Sequence, residues 1–254
     1  MKKTSLAAGA IALVVLAANA KADERDPFES FNRSVYSFND KLDRYALKPA
    51  AQGYVAAVPL PARVAFSNFV GNFGDVPNAM NNLLQGKFSA AASDVGRVLL
   101  NSTLGVLGFV DVASEVGLEK HNKDFGQTLG YWGLKSGPFL MLPLLGPSTV
   151  RDAAALPVDY LSSPRSYVIK SVPARNSISG VAVIDIRAGL LGTDQTFDEA
   201  ALDKYSFLRN FYLQRRQSLI YDGAPPPEKK DDSDSAQSDT PSSTEPEEPK
   251  KEVH

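Results

Sequence analysis

The stretch Asp26–Leu47, DPFESFNRSVYSFNDKLDRYAL, decides the fold. Its apolar and aromatic residues stand at Phe28, Phe31, Val35, Phe38, Leu42 and Tyr45. The alternation of three- and four-residue steps holds all six on one face of a helix. Asp26 occupies the N-cap position, Pro27 suits the first turn, and Glu29 completes a capping box. Lys48-Pro49 predicts the stop, because the residue before a proline disfavours the helical region. Burying six such side chains is worth on the order of 10 kcal/mol before chain entropy is subtracted. Spacing alone does not say what this aromatic face is buried against.

Ahead of it, Lys2 and Lys3 precede an apolar run from Leu6 to Ala18, LAAGAIALVVLAA. That run is shorter than the roughly 20 residues a membrane-crossing helix needs. It leads into Ala20-Lys21-Ala22, with Ala18-Asn19-Ala20 as a second cleavage option. Residues 1–22 are read as a cleaved export signal, the alternative being an uncleaved anchor. There is no cysteine, which excludes thiol chemistry, thiolate metal sites and acylation on cysteine. A chain of this size builds a core without disulfides. The formal net charge is −2. From Asp222 onward, ten acidic residues face four basic ones, so the body is close to neutral and offers no basic face for nucleic acid.

Along the body, Pro61 opens a helix carrying Val64, Phe66, Phe69, Val70 and Phe73. Gly74-Asp75-Val76-Pro77 predicts a turn into a short helix, Asn78 to Gln85, closed by Gly86. Ser89 is the expected cap of a helix from Ala90 to Asn101. From Phe125 to Pro147, glycine and proline argue against a regular helix. The runs Leu129–Trp132 and Phe139–Leu142 predict either a short β-hairpin or a packed irregular loop around 126–146. Phe139, Leu140, Met141, Leu142, Leu144 and Leu145 are apolar without alternation, which suits deep core or a lipid-facing surface. Ser148 predicts a helix to Ala155, followed by a further turn or two from Pro157 to Leu161. Pro173 opens a longer helix to Leu191, and Asp203 caps the last one, Lys204 to Tyr221. The reading is an all-α fold with one helical domain over residues 23–221. The tail, 222–254, has the composition of disordered chain.

Catalytic signals are absent. His121 and His254 are the two histidines, and there is no HExxH, no GxSxG and no phosphate loop at Gly86-Lys87-Phe88. No catalytic, cofactor-binding or metal residue is therefore expected. His121, with Glu119, Lys123 and Asp124 nearby, reads as a solvated polar loop against a catalytic or metal role. Asp111, in the apolar context FVDVA, either caps the following helix or is a buried carboxylate in need of a partner. Lys135 reads as an exposed turn residue. Arg209, Arg215 and Arg216 form a solvated face of the last helix or contact lipid phosphate.

Taken together, DPFESFNRSVYSFND, FSNFVGNF, LLQGKFSAA, LNSTLGVLGFVDVA, FGQTLGYWGLKSGPFLMLPLLGPSTVRD and YSFLRNFYLQRR resemble, in order, the MlaA (VacJ) family of outer-membrane proteins. The resemblance runs from about Asp26 to Tyr221. It implies a helical ring lying in the inner leaflet of the outer membrane, with an amphipathic passage through it. It also implies association with a porin trimer, and transfer of misplaced outer-leaflet phospholipid to a periplasmic carrier protein. Under that resemblance, Leu134, Lys135, Phe139, Leu140, Met141, Leu142, Leu144 and Leu145 are the candidate passage-shaping or lipid-contacting residues. The Phe28 to Tyr45 stripe is then shared between core and membrane. Members of the family commonly carry a lipidated cysteine at the cleavage point, and this chain departs from that pattern. The rival readings are an exported lipid-processing enzyme, which needs a buried Ser-His or carboxylate site, and a structural periplasmic adaptor.

Overall fold

A computed structural model describes residues 25–224. The expected export signal, 1–22, and all but the first three residues of the expected tail, 222–254, lie outside the described residues. Helix α1 spans Glu29–Leu42, followed by a π-turn Asp43–Leu47 and α2, Lys48–Ala57. Then come α3 (Leu60–Leu84), α4 (Phe88–Thr103), α5 (Val112–Glu115) and α6 (Phe125–Tyr131). A two-stranded sheet, β1 (Phe139–Leu142) and β2 (Gly146–Thr149), precedes α7 (Val150–Ser162), α8 (Arg165–Val168) and α9 (Val172–Gly189). A 3-10 turn, Leu191–Thr193, leads to α10 (Asp194–Ala200) and α11 (Lys204–Ile220). The fold is helical with one small hairpin.

The helix decided by the opening stretch forms, but its ends differ from expectation. Phe28, not Asp26, is the N-cap. Asp26 is fully buried, and its carboxylate accepts from Asn32 Nδ2 at 2.7 Å, from Arg209 Nη1 at 3.2 Å and from the Tyr205 hydroxyl. Donors brought in by tertiary packing outcompete the local amides. Glu29 pairs with Arg33 one turn on, at 2.7 Å, instead of closing a capping box. Nor does Lys48-Pro49 stop the chain. Lys48 is helical, and its N–H bonds Asp43 O, five residues back. That π-turn delivers Pro49 to the first turn of α2, where a missing N–H costs nothing.

Further along, Gly74–Pro77 makes no turn: α3 runs through it, with Pro77 inside the helix. Asp75, Asn78, Asn81 and Asn82 are all buried on α3, and packing along α4 overrides the local signal. Gly86, at φ +71°, does end the helix. Ser89 lies inside α4 and caps nothing; Lys87 holds the N-cap position. Asp111 does cap α5, accepting from Ser114 N at 3.2 Å; it is half-buried, and the fully buried member of its ion pair is Arg97.

Residues 125–131 are helical despite their glycines. A Cβ at Gly126 would stand 2.5 Å from Asp152 Oδ1, and one at Gly130 would stand 2.7 Å from Arg151 Nη1. These glycines let helices approach; they do not break one. Leu129–Trp132 therefore supplies no strand. The hairpin pairs Phe139 with Thr149 and Leu142 with Gly146, so its second arm lies on the other side of the expected one. Its turn carries Leu144 at φ +68° and Gly146 at φ +84°, and Lys135 is left in an exposed loop before β1. Thr149, not Ser148, caps α7, and α7 continues through Pro157 as one helix. The helix opened by Pro173 and the one capped by Asp203 form as expected.

The aromatic stripe of α1 is only in part a core face. Val35 is buried, but Phe31 is 39% exposed, Phe38 52% and Tyr45 78%; Phe28 and Leu42 are half-buried. What α1 turns inward is asparagine. Asn32 donates to Phe139 O at 3.1 Å and accepts from Met141 N at 2.8 Å. Asn39, seven residues on, donates to Leu142 O at 2.9 Å and accepts from Leu144 N at 2.9 Å. Two amide side chains thus pair with the backbone of β1 and its turn as a neighbouring strand would. A small apolar core of Val35, Phe139, Met141 and Tyr205, with Tyr36, Leu208, Tyr212 and Leu213 against it, fixes the hairpin between α1 and α11.

Elsewhere the usual distribution is inverted. Among the described residues, seventeen buried side chains are polar or charged and twelve are apolar, seven of these alanine. Thirty-eight large apolar or aromatic residues are exposed. Scattered exposed apolar residues are ordinary, but buried charge and broad apolar surface are not. No described helix is long and apolar enough to cross a membrane.

Candidate functional site

The interior of this inverted fold is a set of ion pairs. Arg97 of α4 is buried and reaches Asp111 with Nη2 at 2.9 and 2.8 Å. Its other nitrogens reach Ser114 Oγ at 3.0 Å, Leu118 O at 2.8 Å and Asp75 at 3.4 Å. Hydrogen bonds to Ser114, Arg97 and Asn101 hold the Asp111 carboxyl well below the usual range, against the opposing effect of burial. Next to this cluster, Asn82 donates to Asp94 at 2.7 Å, and His121 Nδ1 lies 2.9 Å from the same carboxylate. His121 is therefore a partner of the buried network and not a solvated loop residue.

A cavity of about 240 Å³ opens where α3, the hairpin, α7 and α11 meet. Its apolar lining is Pro77, Leu142, Leu145, Pro147 and Leu156. The rest of its lining is polar, and Arg216 organises the charged part. From α11 its Nη2 reaches Asp124 at 2.6 Å and its Nε reaches Asp152 at 2.9 Å. Asp124 caps α6 through Gln127 N at 2.8 Å; Asp152 also accepts from Tyr212 at 3.0 Å and Arg151 at 2.9 Å. Gly126 makes room, since a Cβ there would lie 2.6 Å from Arg216 Nη2. Burial opposes ionisation of Asp124, yet Arg216 wins and holds its carboxyl below the usual range. Asp159 accepts from the Phe125 amide at 2.7 Å. Burial pushes its carboxyl up to about 6. Lys123 completes the polar side, donating to Leu219 O at 2.8 Å.

Of the residues singled out in the sequence, Leu142 and Leu145 line this cavity. Phe139 and Met141 lie in the core behind it, and Leu140 is half-buried. Leu144 sits exposed at the hairpin turn, while Leu134 and Lys135 are exposed on the preceding loop and outside the cavity lining. Arg209 and Arg216 do not form a solvated face, because Asp26 and the Asp124–Asp152 pair hold them; Arg215 is exposed. Sequence reading missed Asp124, Asp152 and Asp159 as a group. One signal was present: Asn78, Asn81, Asn82 and Gln85 recur at helical spacing in an otherwise apolar helix, marking an inward polar face. Among the described residues no group of acidic residues and histidine is arranged to hold a metal ion.

The family model described as "MlaA lipoprotein" matches residues 24–219. The "Intermembrane phospholipid transport system lipoprotein MlaA" of Shigella flexneri is 32% identical over 246 residues, covering 94% of this chain and 96% of that protein. Its namesake from Escherichia coli K12 is 31% identical over the same length, with the same coverage of both proteins. A solved structure from work on the "Structural basis for maintenance of bacterial outer membrane lipid asymmetry" superposes with a TM-score of 0.69 at 34% identity, covering 77% of this chain and 98% of that one.

Proposed function

The chain belongs to the MlaA family, and from that premise we propose that it is the outer-membrane component of an intermembrane phospholipid transport system. It takes mislocalised phospholipid from the outer leaflet and passes it on, maintaining lipid asymmetry. The observation that carries the reading is a largely polar buried interior beneath many exposed apolar side chains, with a cavity lined by both apolar and ion-paired residues.

The physics is that of a lipid with two incompatible halves. A charged headgroup crossing hydrocarbon needs a polar path, while its tails need none. A body whose rim is apolar lies within one leaflet at no desolvation cost. In it, Asp124, Asp152, Arg216 and Lys123 offer the headgroup both signs of charge, and Leu142, Leu145 and Leu156 offer the tails apolar lining. The work is passage, with binding and release in place of a covalent step, as befits a family named for lipid transport.

Finer assignments extend this reading. The relatives are called lipoproteins, whereas this sequence has no cysteine to carry the lipid. We assign the hold on the membrane to the exposed apolar surface, including Phe31, Phe38, Leu144 and Leu145. A porin trimer is the proposed neighbour in the outer membrane, and a periplasmic carrier the proposed acceptor. The hairpin residues at the cavity are the proposed shaping element of the passage. Purification from membranes, followed by extraction and identification of bound lipid, tests the main reading. Phospholipid recovered in stoichiometric amounts supports it; a water-soluble protein free of phospholipid refutes it.

A further inference from the structure

The polar side of the passage ends in an arrangement that the ion-pair network above does not require. Lys123, whose side chain is 6% exposed, and Lys87, at 18%, both point at one carboxylate, Asp222. Each ammonium takes a different oxygen, Lys123 bonding Oδ1 and Lys87 bonding Oδ2. Lys123 lines the passage cavity. Lys87 lines a second, wider cavity of about 790 Å³, formed with the start of α4 and residues 117–121. The Lys87–Asp222–Lys123 bridge therefore stands between the two.

The cations and the anion are built differently. Lys123 is fixed by its own bond to Leu219 O, by its backbone N–H to Asn78 Oδ1 at 2.9 Å and by burial. Lys87 has its ammonium 4.9 Å from the centre of the Tyr131 ring. Asp222, by contrast, is half exposed. It stands just past the end of α11 at φ +51°, a left-handed conformation, followed by Gly223 at φ +87°. The two lysines are held within the body, and their occupant hangs from the end of a helix.

Two oxygens of one anion bridging two ammonium groups is also what the non-bridging oxygens of a phosphodiester supply. We propose that Lys87 and Lys123 form a docking site for the phosphodiester of a phospholipid headgroup, which Asp222 occupies in the resting protein. Burial, and less strongly the adjacent Lys87, disfavour the charged form of Lys123, and Asp222 offsets them only in part. Withdrawing Asp222 without a replacement leaves two desolvated cations side by side, so the carboxylate leaves when another anion takes its place. The bridge then acts as a latch that an arriving headgroup opens, connecting the passage to the wider cavity. This rests on the phospholipid-transport reading.

The test uses the full chain in detergent micelles, with dihexanoyl phosphatidylglycerol and inorganic phosphate as separate probes. Asp222→Asn removes the competing charge at constant size and should bind the short-chain lipid at least about tenfold more tightly than wild type. Lys87→Gln in that background should abolish the gain; Lys87 is the variant of choice because Lys123 is too buried to replace safely. Melting curves within a few degrees of wild type verify that each variant is folded. Unchanged or weaker lipid binding by folded Asp222→Asn overturns the proposal, as does a gain that survives Lys87→Gln. A gain for inorganic phosphate alone overturns its assignment to a lipid headgroup. If every variant binds the lipid equally, the latch fails and transport stands. If no variant binds it and none co-purifies, both fall.

Discussion

Replacing Arg216 with methionine separates a solvated arginine from a structural one. The sequence left this residue either on a solvated helix face or against lipid phosphate; the structure seats it between Asp124 and Asp152 with 12% of its side chain exposed. Methionine keeps the stem's volume and removes the guanidinium, leaving two desolvated carboxylates. Breaking a buried pair from one side costs about 3–5 kcal/mol. Asp124 keeps its bonds from Gln127, and Asp152 keeps Arg151 and Tyr212, which places the cost at the low end, about 3 kcal/mol. For a domain of this size, each kcal/mol moves the melting temperature by about 2–4 °C, so a drop of about 6–12 °C is expected. Adding Asp124→Asn removes one orphaned charge and should recover part of it. Both are measured by thermal melting in a fixed detergent. A drop below about 2 °C, with no coupling in the double variant, would refute the buried ion-pair network and return Arg216 to solvent.

Asp159→Asn tests the raised carboxyl in the cavity. A carboxyl held near 6 contributes stability that is complete below its ordinary value near 4 and is lost as pH rises through 6. The variant should therefore melt like wild type at pH 4 and higher at pH 7.5, by up to about 2–3 kcal/mol; equal melting at both values removes the shift. Gly105→Ala should destabilise by about 2–3 kcal/mol, because a Cβ there would lie 2.1 Å from Val110 O and 2.6 Å from Asn101 O. Gly53→Ala, mid-helix with nothing within 4 Å, should stabilise by about 0.5–1 kcal/mol; equal effects in denaturant melts would contradict the packing at residue 105. Phe31→Ser with Phe38→Ser should leave melting within a few degrees yet weaken vesicle co-sedimentation by tenfold or more, since each aromatic contributes about 1.5–3 kcal/mol when taken out of water. Unfolding of the pair would show that the stripe is core.

The helices at Asp203 and Pro173 were legible because caps and prolines act locally. The all-helical body followed from the same signals, and the family resemblance carried the function further than any periodicity. Where the reading went wrong, long-range polar contacts were the cause. Asp26 looked like a cap because only its neighbours are visible in sequence; its partners, Tyr205 and Arg209, lie far along the chain. Gly126 and Gly130 looked like breakers because a sequence does not show Arg151, Asp152 and Arg216 pressing against them. The hairpin was placed on the wrong flank of β1, as apolar runs carry no register. The stripe of α1 was legible from its spacing, but what it faces was not. A rule that places apolar residues inside assumes water outside, and Asn32 and Asn39 hold the inward face instead.

The central claim is that phospholipid leaves the outer leaflet through this inverted body. Its most direct test is the amount of phospholipid accessible at the cell surface in a deletion strain carrying either the wild-type gene or a cavity-filling Leu156→Trp variant. The account predicts that deletion raises surface phospholipid, that wild type restores it, and that the filled variant, folded and present at the membrane, does not. Surface phospholipid unchanged by deletion contradicts it.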